Sequence, residues 1–152
     1  MKIKLDADFN TPATVFGIIS DLPDYRLCYV LNKELRLRLC RYKNDKELVL
    51  KNKGRLCFSE FYYHDVAAML EWRLTSNKYA LIYPNDNTEP QITAIPLVAD
   101  LKTMNYFLWY ADDPIPEINR DLTSRLQKNR YIRTVQQIEV EASKNIDNLL
   151  VE

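Results

Sequence analysis

The sequence predicts a single α+β domain over residues 1–152. A helical pair near the N-terminus and one C-terminal helix are expected to pack on a mainly antiparallel sheet of about five to seven strands. Three observations predict it. An apolar period of 3.6 residues runs through DLPDYRLCYVLNKEL, residues 21–35, the stretch around which the chain is organised. The period drops to 2 immediately afterwards and stays there through several short segments. A second helical period follows the acidic, proline-containing residues 112–117.

In the organising helix Leu27, Cys28, Leu31 and Leu35 form one apolar stripe. Asp21 is expected to cap it, with Pro23 in the first turn, where a missing N–H costs nothing. Its other side carries Tyr25, Tyr29, Asn32 and Lys33, with Asp24 and Arg26 beside them. Ahead of it, residues 1–9 alternate loosely as a short strand, Asn10-Thr11-Pro12 reads as a helix start, and Val15, Phe16, Ile19 and Leu22 supply a short stripe. The brief break at residues 20–23 makes these two helices a bent pair.

From Leu35 to Cys40 leucines alternate with Arg36 and Arg38, the pattern of a strand with one wet side. Asn44-Asp45 is a turn, residues 47–50 a short strand, and Asn52-Lys53-Gly54 the strongest hairpin turn in the chain. Residues 55–63, RLCFSEFYY, read as one aromatic strand. His64-Asp65 turns the chain into residues 67–74, where Ala68, Leu70, Trp72 and Leu74 share a face. Ser76-Asn77 turns again before a strand at 79–83, which completes an antiparallel meander. Residues 84–91 are loop-like and 97–102 carry no clear period, whereas 104–111, MNYFLWYA, form a buried strand. Ile118, Leu122 and Leu126 mark the C-terminal helix, residues 131–140 a strand with one irregular position, and 141–152 a terminal helical turn.

Composition narrows the function classes. Lys+Arg and Asp+Glu both number 21, a balance unlike that of non-specific nucleic-acid or membrane-surface binders. The first ten residues hold no apolar signal segment, and no run is long enough to span a membrane, so a cytoplasmic location is expected. Cys28, Cys40 and Cys57 are odd in number, widely spaced and set in apolar patterns, which reads as reduced, buried thiols and offers no zinc spacing. With only two glycines there is no Gly-rich phosphate loop; no cofactor and no metal are implied.

Two stretches resemble the small IPExxxVDY family. DYRLCYVLNKEL, residues 24–35, is similar to that family's DYRLC…NK segment. LVADLKTMNYFL, residues 97–108, is similar to the segment that names it: Val98, Ala99 and Asp100 stand for Ile, Pro and Glu, and Met104, Asn105 and Tyr106 for Val, Asp and Tyr. Only the tyrosine is kept, and the literal Ile115-Pro116-Glu117 lacks the following triplet. The C-terminal stretch through Asn148-Leu149-Leu150 also looks similar. The resemblance implies no activity, because the family has none established. Were the family's Glu and Asp an acid–base pair, Asn105 could not titrate in that role.

The candidate binding residues are Asp24, Tyr25, Arg26, Asn32, Lys33, Asp100, Asn105 and Tyr106. Arg26 would hold a carboxylate or phosphate while Tyr25 and Asn32 orient it. The scaffolding alternative, which is preferred, pairs Arg26 with an acid such as Asp100 and leaves Asp100 and Asn105 as turn and cap residues. His64 beside Cys57 and Ser59 lacks a third group to orient it, so no catalytic set is assigned. Arg36, Arg38, Arg41, Lys43 and Arg55, with Lys46, Lys51 and Lys53, form a basic zone interleaved with Tyr42, Phe61, Tyr62 and Tyr63, a composition suited to single-stranded RNA or to a solvated sheet edge. Ten tyrosines and two tryptophans exceed what a core this size holds dry. The leading expectation is therefore a non-enzymatic protein-interaction or adaptor domain that binds a protein partner or itself. RNA association through residues 36–55, or an anionic ligand held by Arg26, are the alternatives.

Overall fold

The computed structural model describes residues 12–50, 54–78, 80–84 and 89–150. A six-stranded antiparallel sheet forms the central layer, in the order β10-β1-β9-β6-β5-β2. Its strands are β1 (Thr14–Ile19), β2 (Cys40–Arg41), β5 (Glu60–Asp65), β6 (Leu70–Ser76), β9 (Tyr106–Tyr110) and β10 (Thr134–Ile138). Side chains of β1 and β9 alternate strictly between two cores, as a period of 2 requires. Phe16, Ile18, Tyr106, Leu108 and Tyr110 point to one core, and Val15, Phe107 and Trp109 to the other.

The first core is closed by α1 (Asp24–Leu35) and α2 (Pro116–Gln127). Leu27, Cys28 and Leu31 of α1 and Leu122 and Leu126 of α2 are buried there. Full burial of Leu27 and Leu31 contributes about 2 kcal/mol each. The second core is closed by a four-stranded antiparallel sheet, β3 (Lys46–Leu50), β4 (Gly54–Phe58), β7 (Ala80–Tyr83) and β8 (Gln91–Thr93), in the order β3-β4-β7-β8. Leu56, Phe58 and Ala80 meet Phe107 and Trp109 there, together with Leu97, Val98, Met104 and Leu149 of α3 (Asp147–Leu150). The architecture is thus helices, sheet and second sheet in three layers.

The α+β class stands, but several elements differ from the sequence reading. The N-terminal helical pair is a strand and a helix, because β1 occupies the position of the first helix. TVFGII is rich in β-branched residues and lies between β10 and β9, buried on both faces. A short run that is apolar all round has no period to tell strand from helix. Gly17 has a local reason: a Cβ there would stand 2.6 Å from the Met104 sulfur.

One sheet becomes two because the run RLCFSEFYY breaks at Ser59. Gly54–Phe58 joins the smaller sheet and Glu60–Asp65 the larger. The strand order is not a simple meander, since β9 enters between β1 and β6. The strand expected at 35–40 shrinks to β2. Its alternation reports burial alone: Leu37 and Leu39 are buried while Arg36, in the left-handed region at φ 59°, and Arg38 are exposed. Asp21 does not cap α1. Pro23 is the N-cap, its carbonyl accepting from the Arg26 and Leu27 N–H groups, and Asp21 pairs with Arg133. β5 runs through the expected His64-Asp65 turn, the turn falls at 66–69, and β6 starts at Leu70 rather than 67. Residues 97–102 contain a 3₁₀ turn at Ala99–Leu101, and β10 pairs regularly with β1, without a bulge. The N-terminal strand at 1–9, Asn10, Thr11, and the Asn52-Lys53 turn with Lys51 lie outside the described residues.

Candidate functional site

The exposed side of α1 is built by spacing. Tyr25, Tyr29 and Lys33 recur every four residues and share one stripe, with Arg26 beside it. Both tyrosines are 66% exposed, although tyrosine is a large amphipathic side chain that usually buries its ring. Asp24 accepts a hydrogen bond from the Tyr25 N–H at 2.6 Å, which holds it in the first turn. Asn32 is a scaffold residue. Its amide donates to the Leu39 carbonyl at 3.0 Å and accepts from the Leu39 N–H at 2.9 Å, replacing the ladder that a strand at 35–40 would have made.

Asp100, Asn105 and Tyr106 do not meet Arg26. The Asp100 carboxylate accepts from the Ser143 hydroxyl and from the Lys144 and Asn145 N–H groups, each at 3.1 Å. Slight desolvation pushes its pKa up, but the Ser143, Asn145 and Lys144 hydrogen bonds outweigh that and leave it below the ordinary aspartate value. Asn105 accepts from the Ser20 N–H at 2.9 Å, and Tyr106 donates to the Leu22 carbonyl at 2.7 Å. Asp100, Asn105 and Tyr106 therefore each tie residues 97–106 to another part of the chain. Asn77, buried and read as a turn residue, holds the same segment. Its amide donates to the Leu101 and Met104 carbonyls and accepts from the Val98 N–H.

The basic zone divides. Arg41, Lys43 and Arg55 line one open cleft of about 710 Å³, where the chain crosses from β2 to β3 and from β4 to β5. Arg36 borders a smaller groove with Asp65 and Asp121, and Arg38 is exposed on the connection after α1. The floor of the cleft holds a pair that sequence reading missed, Arg73 and Glu60, at 3.2 Å and only 13% and 3% exposed. The Thr75 hydroxyl donates to the second Glu60 oxygen at 2.8 Å, and the Trp109 indole N–H reaches Thr75 at 3.3 Å. The Arg73 guanidinium lies 5.4 Å from the Tyr42 ring, 4.9 Å from that of Tyr62 and 5.9 Å from that of Trp109. On the rim Arg41 pairs with Asp45, and Arg55 with Glu47 at 3.1 Å.

No protein-family model, curated protein or solved structure matches this chain. The site must be read from its own geometry.

That geometry separates the thiols and the imidazole, and it leaves Cys40 exposed on β2, where its apolar sequence context predicts burial. Cys57 lies on β4 in the smaller sheet, while His64 is exposed near the end of β5 in the larger one, opposite Glu71. Burial, with the Cys40 and Asp24 charges added, pushes the Cys28 thiol up to about 11. Burial and the nearby Glu47 raise Cys57 as well. Both shifts disfavour the thiolate a nucleophile needs. Among the described residues no cluster of three or more His, Cys, Asp or Glu is placed to hold a metal, and no helix is long and apolar enough to cross a membrane. A signal for the Arg73–Glu60 pair did exist: one charged residue stands inside each of two apolar runs, FSEF and WRL. Only the β5–β6 register, which sets Glu60 opposite Thr75 and Tyr62 opposite Arg73, shows that they meet.

Proposed function

We propose that this protein is a cytoplasmic, non-enzymatic interaction module that docks an acidic protein segment on the outer face of α1. The observation that carries the reading is the pair Tyr25 and Tyr29, one turn apart and each 66% exposed, on a helix whose opposite side is fixed in the core. Exposed Arg26, Lys33 and Arg36 flank the pair. The nearest helix carboxylate beyond the first turn, Glu34, is engaged by the Asn129 amide at 3.0 Å. Aromatic anchors bordered by cations favour a partner that supplies apolar contact and negative charge.

Replacing Tyr29 with a photo-cross-linking phenylalanine analogue and irradiating in native host extract tests this. The expected result is one discrete adduct, mapping to an acidic stretch of a protein and lost when Arg26→Glu and Lys33→Glu are added. No adduct, or one equally formed from the same analogue at Val49, an exposed position on β3, would rule the reading out.

A further inference from the structure

We infer that the cleft between the two sheets binds a nucleotide, its phosphate on the cationic rim and its base against the Arg55–Tyr83 stack. The chain as a whole is neutral, yet five cations and three carboxylates line this cleft, so positive charge is locally in excess. Arg73 on the floor is balanced by Glu60, and on the rim Lys43 stands exposed beside the Arg41–Asp45 and Arg55–Glu47 pairs. Among the described residues Arg55 donates from Nη1 to the Glu47 carboxylate and the Cys57 sulfur, and its half-exposed guanidinium keeps Nη2 and Nε for a further acceptor. Lys43 is exposed and makes no ion pair among the described residues. Together they present a fork and a point charge, a set that suits the several oxygens of a phosphate better than the two of a carboxylate.

The base has a platform. The Arg55 guanidinium lies 4.5 Å from the centre of the Tyr83 ring, and the outer face of such a stack accepts a further planar ring. A cationic peptide side chain has no equivalent place, since the aromatic cluster of Tyr42 and Tyr62 is filled by Arg73. The cleft volume of about 710 Å³ matches a ligand of mononucleotide size, and its open side would let a strand pass. The shared chemistry is a phosphate ester next to a planar base, whether in a free nucleotide or in single-stranded RNA.

The test uses the full chain, adenosine monophosphate and inorganic phosphate by calorimetry, and a labelled octauridylate by fluorescence anisotropy. Saturable nucleotide binding is expected, weakened at least about tenfold by Lys43→Glu or Arg55→Ala in variants that melt like the parent. Arg55→Ala should weaken nucleotide more than phosphate, because it removes the stack as well as a donor. An octamer bound far more tightly than the monomer, and progressively lost between about 50 and 200 mM salt, would identify a strand as the ligand. Equal affinities would identify the free nucleotide, and either result supports the site. Absence of saturable binding, phosphate bound as tightly as nucleotide, or full affinity in both folded variants would overturn it.

Discussion

Residues 97–106 and the outer face of α1 hold similar side chains and use them in opposite ways. In the first region Asp100, Asn105 and Tyr106 give their polar atoms to backbone groups of Ser20, Leu22, Lys144 and Asn145 and to the Ser143 hydroxyl. On α1, Tyr25, Arg26, Tyr29 and Lys33 face solvent. Residue type alone does not separate a lock from a surface; the address of each hydrogen bond does. The cleft combines both behaviours, with a locked floor and an open rim. If this division is right, substitutions should divide the same way, in stability or in binding.

The largest effect is expected at the floor. Arg73→Ala takes the guanidinium away from the buried Glu60 carboxylate, which keeps the Thr75 hydroxyl, and should cost about 3 kcal/mol, or about 10 °C in Tm. A smaller loss would mean that water enters the cleft floor. Asn77→Ala comes next. It strands the buried Val98 N–H and two carbonyls, so chemical denaturation should register a loss of about 2 kcal/mol with an unchanged m-value.

Asp100→Asn is expected to act through pH. A carboxylate whose folded pKa lies below its ordinary value of 3.8 adds stability above that pH, and the contribution fades as pH falls through the folded value. Acid melting curves of parent and variant should differ at neutral pH and converge in strong acid. Curves offset by the same amount throughout would assign Asp100 a role other than accepting charge-assisted hydrogen bonds. The thiols give the smallest effect. At pH 8 exposed Cys40 should alkylate first, while Cys28, raised to about 11, stays protonated and protected. The sign for stability follows: the Cys28 contribution is complete below its ordinary value of 9.0 and is lost as pH rises through about 11. Early Cys28 labelling, read by mass spectrometry, would show that α1 opens readily.

Much of this fold is legible wherever a period is long enough to read. The stripes Leu27, Cys28, Leu31 and Leu122, Leu126 mark both longer helices, and the apolar run MNYFLWYA marks β9, all of whose side chains are buried. β1 is illegible for a physical reason, since a strand buried on both faces has no polar side to set its phase. The split at Ser59 is hidden as well: Phe58 and Phe61 are both buried, so hydrophobicity runs on while the chain changes sheets. At the site, Arg41, Lys43 and Arg55 stand together because of a tertiary crossing. Arg36 and Arg38, closer in sequence to Arg41, end elsewhere because the left-handed Arg36 and the Asn32–Leu39 clamp turn the chain away.

The most direct measurement is urea unfolding of Asn105→Ala beside the double variant Tyr25→Ala/Tyr29→Ala. Losing the acceptor for the buried Ser20 N–H should cost about 1.5 kcal/mol, while removing two exposed rings should cost less than about 0.5 kcal/mol. The opposite order would contradict this, making the α1 face a structural element and residues 97–106 the surface free to act.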